Sequence, residues 1–521
     1  MPANRYDTQL TTAARKQHGI FYTPVEVVRY LLHATNPAGP VADISCGDGA
    51  FLEVAAQAGH MVMGIDQDAD ALACAQETLS HITGAKWHLH CGDGLQPILP
   101  QVPDVVLGNP PYLEAKKTHP ALKGHCKKLF PEITRGAFDI FICFLQAGLD
   151  LLPPAGRLGY IIPNKFFISD YARPLREHLL HETTIEQIID VSDLPTFKDA
   201  AVYPVMLIIK KTLPARDHCV MTGQVSDLAQ LGTRTFPTAE IQQSYWEKTS
   251  RRIFWLPPVA AQDRGLVDRL LADDSARPLG EYLDIRWTIS FHRTGLREQF
   301  IFPTPTGKYP RKLLGGKSFH GNADVRRYRT AWSGWWIDYD EKRAKDLQSQ
   351  FPPAALFSGE KLLIAQNAKR IIATLDRDDY ACKDTFLVGR YINFFSPPLP
   401  YLLALLNSSL LSYLYSIVFK ATHVGGAYLH YLACYLVDLP IRNASDYAPF
   451  CTLVERMLDV DTIEDERECL DTQLDELIFD LYNLTGAERA MVRQAVPYAW
   501  GATGGRKGSW RAEDNTTKID P

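Results

Sequence analysis

The sequence predicts an α/β fold with a mostly parallel sheet over its first 212 residues, followed by an α+β region and C-terminal helices. Three observations carry this. Short apolar runs alternate with helical stretches from residue 41 to about 211; aromatics, prolines and short strand-like pieces take over after residue 250; helical patterning returns from 441. Alternation of strand and helix lays parallel strands side by side, because each crossover helix must travel back over one face of the sheet.

Taken in order, residues 1–40 form a lead-in in which Pro24 precedes a helix from 25 to about 33. The runs 41–44, 61–65, 105–108, 158–162 and 205–209 read as strands, and 51–58, 69–79 and 141–152 as helices between them. These elements define a domain over 1–212. Residues 213–250 are polar and irregular and read as a linker. Residues 251–440, with Pro-Pro pairs at 257–258, 352–353 and 397–398, form a second domain. Residues 441–500 read as helical, with Thr485-Gly-Ala-Glu488 as a capping box for the last helix. The Gly-rich polar tail 501–521 is expected to be disordered.

A chain of 521 residues is too long for one core, and 46% hydrophobic with 22% charged residues is ordinary for a globular protein. The net charge of −5 excludes a uniformly basic nucleic-acid binder. A nucleic-acid partner then requires Lys and Arg gathered on one face. Ten cysteines without a CxxC pair imply reduced thiols and a cytoplasmic protein. No secretion signal opens the sequence. Residues 400–419, interrupted by Asn407-Ser408-Ser409, read as a buried helix rather than a membrane span. His88, His90 and Cys91 lie close together, as do His119, His125 and Cys126. Neither group has four-ligand spacing, so no metal is expected.

Asp43-Ile-Ser-Cys46-Gly47-Asp48-Gly49-Ala-Phe51 follows the first strand and opens a helix. Its glycines let backbone approach a ligand in the crevice at the strand's carboxyl end. Alone, such a turn serves NAD, a flavin, or nothing beyond a tight turn. Asp66 ends the second strand, where an acid can hold ribose hydroxyls. Asp93, in Cys91-Gly92-Asp93-Gly94, ends a third run and can accept from an adenine amine. Each Asp also suits a helix N-cap, but three acids at three successive strand ends favour a nucleoside ligand. No Walker-type Gly-Lys-Ser/Thr is present, which counts against a nucleoside triphosphatase.

The strongest local signal is a hydrophobic strand, 104–108, ending in Asn109-Pro110-Pro111-Tyr112. The prolines fix φ and carry no N–H, so the turn is stiff and its carbonyls are free to accept. The Asn109 side-chain oxygen and the Pro110 carbonyl can both accept from one NH2 group. An exocyclic amine has its lone pair delocalised into the ring. Two fixed acceptors hold the amine hydrogens out of plane and free that pair to attack a methyl sulfonium, through positioning and preorganised dipoles. Tyr112 offers a flat surface to a base. The plain alternative is a tight strand-end turn.

This order of parts resembles the TaqI-like γ-class of N6-adenine DNA methyltransferases. In that class a segment like His18-Gly-Ile-Phe-Tyr22-Thr23-Pro24 comes first, then the cofactor loop, then Asn-Pro-Pro-Tyr, then a C-terminal recognition domain. The resemblance implies a Rossmann-like class I S-adenosylmethionine methyltransferase domain followed by an α+β DNA-recognition domain. It implies that Thr23 binds the cofactor's carboxylate and Asp43 its amino group. Cys46, Gly47 and Gly49 would line the cofactor loop, Asp66 would bind the ribose and Asp93 the adenine amine. Phe144 would lie beside the cofactor adenine, Asp139 matches an acid common in that segment, and Phe197 would be a second aromatic on the target base. Core packing is the plain alternative for Phe144 and Phe197. Extruding a base from duplex DNA costs roughly a few kcal/mol, and stacking returns about 1–3 kcal/mol per base, so Tyr112 with Phe197 would offset most of the extrusion.

Two basic stretches are candidates for DNA. Lys116, Lys117, Lys123, Lys127, Lys128 and Arg135 follow the catalytic turn, against Glu114 and Glu132, and suit phosphates or a solvated loop. Residues 308–336 carry Lys308, Arg311, Lys312, Lys317, Arg326, Arg327 and Arg329, interleaved with Tyr309, Phe319, Tyr328, Trp332, Trp335 and Trp336. Of these, Arg311, Lys312, Arg326, Arg327 and Arg329 are expected on DNA, whether on guanine edges or phosphates. Segments 359–366, 369–374, 401–408 and 474–485 resemble a TaqI-type specificity domain. Residues 280–295 depart from its Gly-rich opening, with Ile285-Arg286-Trp287-Thr288 instead.

The expectation is a sequence-specific adenine-N6 methyltransferase. It would carry the methyl of S-adenosylmethionine by in-line displacement to a flipped-out adenine in double-stranded DNA. It would act as a monomer on DNA at the prokaryotic nucleoid, in a restriction-modification or related defence system with a separate restriction component, and without a membrane. Residues 1–40 hold no nuclease carboxylate cluster, so intrinsic cleavage is not expected. No Pro-Cys dipeptide is present, which sets aside cytosine C5 chemistry. Cytosine-N4 methylation, glutamine methylation in a protein, and a catalytically idle DNA-recognition subunit are the alternatives.

Overall fold

Apolar runs rich in Val, Ile and Leu become the strands of one nine-stranded sheet. In chain order these are β1 Val41–Asp43, β2 Val62–Asp66, β3 Trp87–Cys91, β4 Val105–Gly108, β5 Arg157–Pro163, β6 Thr184–Asp190, β7 Pro204–Lys210, β8 Cys219–Gln224 and β9 Thr238–Gln242. Their spatial order is β3-β2-β1-β4-β5-β7-β6-β8-β9. From β3 through β5 all pairs are parallel, and β7 enters antiparallel between β5 and β6. The order runs outward from β1 to β3 on one side and from β4 on the other. The winding therefore reverses between β1 and β4, where the carboxyl ends of adjacent strands leave a crevice.

The structure, a computed structural model, describes residues 23–113, 118–194, 203–247, 249, 253–254, 261–291, 295–316, 324–393, 396–425 and 428–496. Two units divide the chain: Met1–Gly265 with Ile417–Thr422, and Leu266–Ser416 with His423–Pro521. In the first, the helices are α1 Val25–Thr35, α2 Ala50–Gln57, α3 Ala69–Ser80, α4 Pro120–Leu129, α5 Phe141–Leu151, α6 Arg173–Glu182 and α7 Leu228–Thr233. Val27 and Leu31 of α1 and Phe51 and Leu52 of α2 share a core with Val41, Val62, Leu107 and Ile208 from the strands. Each such side chain, fully buried, contributes about 1.5–3 kcal/mol. The returning segment Ile417–Thr422 gives this unit Lys420, whose Nζ lies 2.8 Å from Asp190 at the end of β6.

The linker expected over 213–250 is corrected. Those residues add β8, α7 and β9 to the sheet. Asp227 and Gln230 close a capping box on α7. The stretch looked irregular because edge strands bury little: β9 buries Ile241 alone among its five residues.

The second unit is α+β. One antiparallel sheet runs Leu283–Trp287, Phe386–Tyr391, Lys361–Ala365, Ala373–Asp376. Another runs Ile301–Phe302, Trp336–Asp338, Pro310–Leu314, Ala381–Cys382. The apolar stretch near 400–419 folds as Leu399–Asn407 and Ser409–Val418, bent by 60°. The break is held by Asn407, whose amide pairs with the N–H and the carbonyl of Ala373, each at 2.9 Å. Tyr401 to Leu406 and Leu410, Leu411 and Tyr413 to Tyr415 are buried. Among the described residues no single helix is long and apolar enough to cross a membrane, although this bent pair passes by length and composition. Ala448–Leu458, Glu464–Leu481 and Gly486–Ala495 follow, and Thr485 and Glu488 form the expected capping box. The tail 501–521 lies outside the described residues.

Candidate active site

The turn after β1 is shaped by glycines. Gly47 has φ 50° and Gly49 φ 86°, values that L side chains rarely adopt. A Cβ built on Gly47 would meet nothing within 4 Å, so open space lies over this backbone. Asp43, at the end of β1, is 2% exposed and accepts from the Ser45 N–H at 3.0 Å. Burial pushes its carboxyl up to about 7, and the nearby Asp66 adds to the rise. Cys46, expected at the cofactor, turns its side chain into the core beside Gly64. Its thiol also lies 3.8 Å from the Gly47 carbonyl, and the Cys46 N–H bonds the Ile65 carbonyl at 3.0 Å.

Two more acids stand at the next strand ends. Asp66 accepts from the Gly47 N–H at 2.7 Å and from the Asp68 N–H at 2.9 Å, so it braces the Gly47 turn as well as facing the crevice edge. Asp93 accepts from the Leu95 N–H at 2.9 Å, and its other oxygen lies 2.6 Å from His125 Nε2. Phe144, expected beside the cofactor adenine, packs against this turn: a Cβ on Gly94 would come within 3.0 Å of its Cε1, and within 1.8 Å of the Ile44 carbonyl. Only glycine fits there. Phe144 is buried near the start of α5.

The turn after β4 is shaped by prolines and held from three sides. Asn109 Nδ2 donates to Thr23 Oγ1 at 3.1 Å, which fixes the side-chain amide and leaves Oδ1 as the acceptor edge. Thr23 was expected at the cofactor carboxylate; it is buried, with its hydroxyl on Asn109. The Tyr112 hydroxyl donates to the Ile161 carbonyl at 3.0 Å, and its ring meets Phe141 edge to face. Burial, with Asp139 nearby, raises the phenol well above its ordinary value, so it stays a neutral donor. Asp139 accepts from the Leu113 N–H at 3.0 Å and pins the exit of the turn. The two turns touch through Gly108, where a Cβ would lie 2.9 Å from Asp43 Oδ1. The structure therefore brings Asn109, Pro110, Pro111 and Tyr112 to the same sheet edge as Asp43, Asp66 and Asp93. Sequence reasoning missed the bond of Thr23 to Asn109, the pinning by Asp139, and His125. His125 was visible only as part of a group set aside as a metal site. Among the described residues no cluster of three or more His, Cys, Asp or Glu is placed to hold a metal.

Of the expected DNA contacts, Lys127 and Lys128 are exposed on α4. Lys116, Lys117 and the aromatic Phe197 lie outside the described residues. The expectation for Arg327 is corrected. It is 8% exposed, donates with two nitrogens to Asp471, and donates to the Asn407 carbonyl at 2.9 Å. A guanidinium so enclosed holds its own unit together. Arg329 pairs with Glu464 at 3.1 Å on the surface. Lys312 sits over the Trp332 ring and Arg311 over Tyr339. The tryptophans of this stretch serve structure too: Trp332 donates to the Trp335 carbonyl, and both pack on the unit's core.

The Eco57I restriction-modification methylase family matches residues 101–197, the methyltransferase small domain residues 27–126, and the TaqI-like C-terminal specificity domain residues 317–441. The chain is similar to the TaqI-like restriction-modification DNA methyltransferases. Among relatives, the type II methyltransferase M.XhoI of Xanthomonas vasicola is 30% identical over 132 residues, 25% of this chain and 24% of that protein. M.BanIII of Aneurinibacillus aneurinilyticus is 25% identical over 229 residues, 38% of this chain and 39% of that one. The chain thus spans about a quarter to two fifths of the curated relatives it matches. Among solved structures, the cryo-EM structure of a DrdV–DNA complex shares the fold, with a TM-score of 0.53, 14% identity, 87% of this chain and 58% of that one. The matched families support S-adenosylmethionine as cofactor. The donor set fits it: open space lies above Gly47, and the carboxylates of Asp43, Asp66 and Asp93 stand at or just past three neighbouring strand ends.

Proposed function

We propose that this protein is a site-specific DNA methyltransferase that modifies the N6 amine of a flipped-out adenine in duplex DNA. One observation carries the reading. Asn109, with its amide oriented by Thr23, stands on a proline-fixed turn against the Gly108–Asp43 contact, at the mouth of the crevice between β1 and β4. Bound S-adenosylmethionine supplies a methyl group on a sulfonium, ready for a nucleophile. Asp43 offers a carboxylate to an ammonium, Asp66 faces a ribose, and Asp93 with Phe144 takes an adenine. Asn109 Oδ1 and the Pro110 carbonyl hold an amine's two hydrogens, and the Tyr112 ring lies under the base. No side chain acts as a strong base; orientation and fixed dipoles do the work. Double-stranded DNA as partner is supported by the restriction-modification names of the matched families, and Lys127 and Lys128 suit its phosphates. The same names favour a role in restriction-modification in the cytoplasm of a prokaryote, at the nucleoid.

The purified chain, given isotope-labelled S-adenosylmethionine and mixed duplex DNA, is expected to yield labelled N6-methyladenine on nucleoside digestion and mass spectrometry. Labelled N4-methylcytosine would replace the adenine assignment. Cofactor binding with no label in any DNA would point to an idle recognition subunit.

A further inference from the structure

Asp93 is held by two donors of different origin. The Leu95 N–H comes from its own turn, whereas His125 comes from α4, which follows the catalytic turn. That turn is closely packed, since a Cβ at Gly92 would lie 2.7 Å from the His90 ring and one at Gly94 1.8 Å from the Ile44 carbonyl. What is left to fix is the rotation of the Asp93 carboxylate, and His125 Nε2 at 2.6 Å fixes it. A carboxylate has about four acceptor sites; two are used here, so a third donor can still join. Helix α4 is itself anchored, because Cys126 is fully buried, as is Cys143, the residue before Phe144. On the side of α4 away from His125 lie Lys123 and Lys127, two residues before and two after it, a spacing that points side chains the opposite way.

We infer that His125 is a positioning residue. It orients the Asp93 carboxylate toward the exocyclic amine of the cofactor's adenine, and it ties that end of the cofactor site to the lysine-bearing face of α4, so that duplex DNA and cofactor favour each other's binding. The inference rests on the cofactor and DNA reading above. A helix gripped on one side by phosphates and on the other by the acid that recognises adenine gives both ligands the same element to order, and the coupling is reciprocal.

The test is calorimetric binding of S-adenosylhomocysteine and of its 6-oxo analogue, S-inosylhomocysteine, with and without a non-specific duplex. The full-length wild type is compared with His125→Ala and His125→Gln. Wild type is expected to prefer the amine-bearing ligand at least tenfold, because a site built to accept from an NH2 rejects the analogue that lacks it. Duplex should lower its Kd for S-adenosylhomocysteine about fivefold or more. His125→Ala should drop the preference below about threefold and abolish the duplex effect, with an unchanged thermal midpoint without ligand. His125→Gln, whose amide N–H reaches the same carboxylate, should restore most of the preference. If wild type binds S-adenosylhomocysteine and His125→Ala keeps both the preference and the duplex effect, the inference is wrong while the proposed function stands. A lost preference with an intact duplex effect overturns the coupling. A wild type that binds neither ligand overturns the proposed function, and the inference with it.

Discussion

The turns after β1 and β4 are neighbours at one sheet edge and are built from opposite materials. The first relies on Gly47 and Gly49 at positive φ, where backbone itself can come close to a ligand. The second relies on Pro110 and Pro111, which remove N–H donors and leave carbonyls. Their acids and amides differ in the same sense. Asp43 is buried and electrically costly until a cation arrives. Asn109 is neutral and fixed in advance by Thr23. On the proposed reading, the turn that would grip a charged ligand keeps an unmet charge in reserve, and the turn that would orient a reacting amine keeps none. Binding and reaction should therefore fail separately when each turn is altered.

The largest effect is expected at Asn109. Asn109→Ala should lower methyl transfer by at least about 10²–10³-fold, the usual cost of deleting one preorganised polar group. Its calorimetric Kd for S-adenosylmethionine should stay within about twofold of wild type; unchanged turnover would break the comparison. Next is the pH dependence of cofactor binding. Asp43 titrates near 7 because burial disfavours its charge. Above that pH it is ionised and, on the proposed reading, would meet the cofactor ammonium; below it, affinity should fall by up to about tenfold per pH unit. Asp43→Asn should flatten the profile between pH 6 and 8. The sign reverses for stability without ligand. The folded carboxyl keeps a proton that the unfolded chain has already released, so stability declines as pH rises from about 4 through 7. The smallest effect is expected for Thr23→Val. Losing one hydrogen bond of about 1 kcal/mol should lower kcat roughly fivefold with little change in cofactor Kd. A rise in Kd with kcat intact would instead assign Thr23 to the cofactor turn.

The inner parallel strands were legible because they are buried on both faces, so 61–65 and 105–108 read as apolar runs and 41–44 as one broken only by Asp43. The three acids and Asn109 were legible because strand ends fix where side chains emerge. β8 and β9 were not: β9 is an edge strand with one buried residue, and β8 buries Val220, Thr222 and Gly223, a set with little apolar periodicity to read. Arg327 shows a second limit. Three arginines within four residues look equivalent in sequence, yet Arg327 meets Asp471, 144 residues away, and Arg329 meets Glu464. Pairings of that range are decided by the fold, and composition does not report them. His125 was hidden for the same reason: its partner, Asp93, lies 32 residues earlier, on the far side of β4 in the chain.

The peptide backbone passes from one unit to the other at Gly265, returns at Ile417, and leaves again after Thr422. A chimera that exchanged the C-terminal half at a single splice point would remove Lys420 from Asp190 and supply a foreign hexapeptide in its stead. Retargeting such a molecule by module exchange therefore calls for a two-piece graft that spares residues 417–422, and evolution by simple tail replacement faces the same geometric toll.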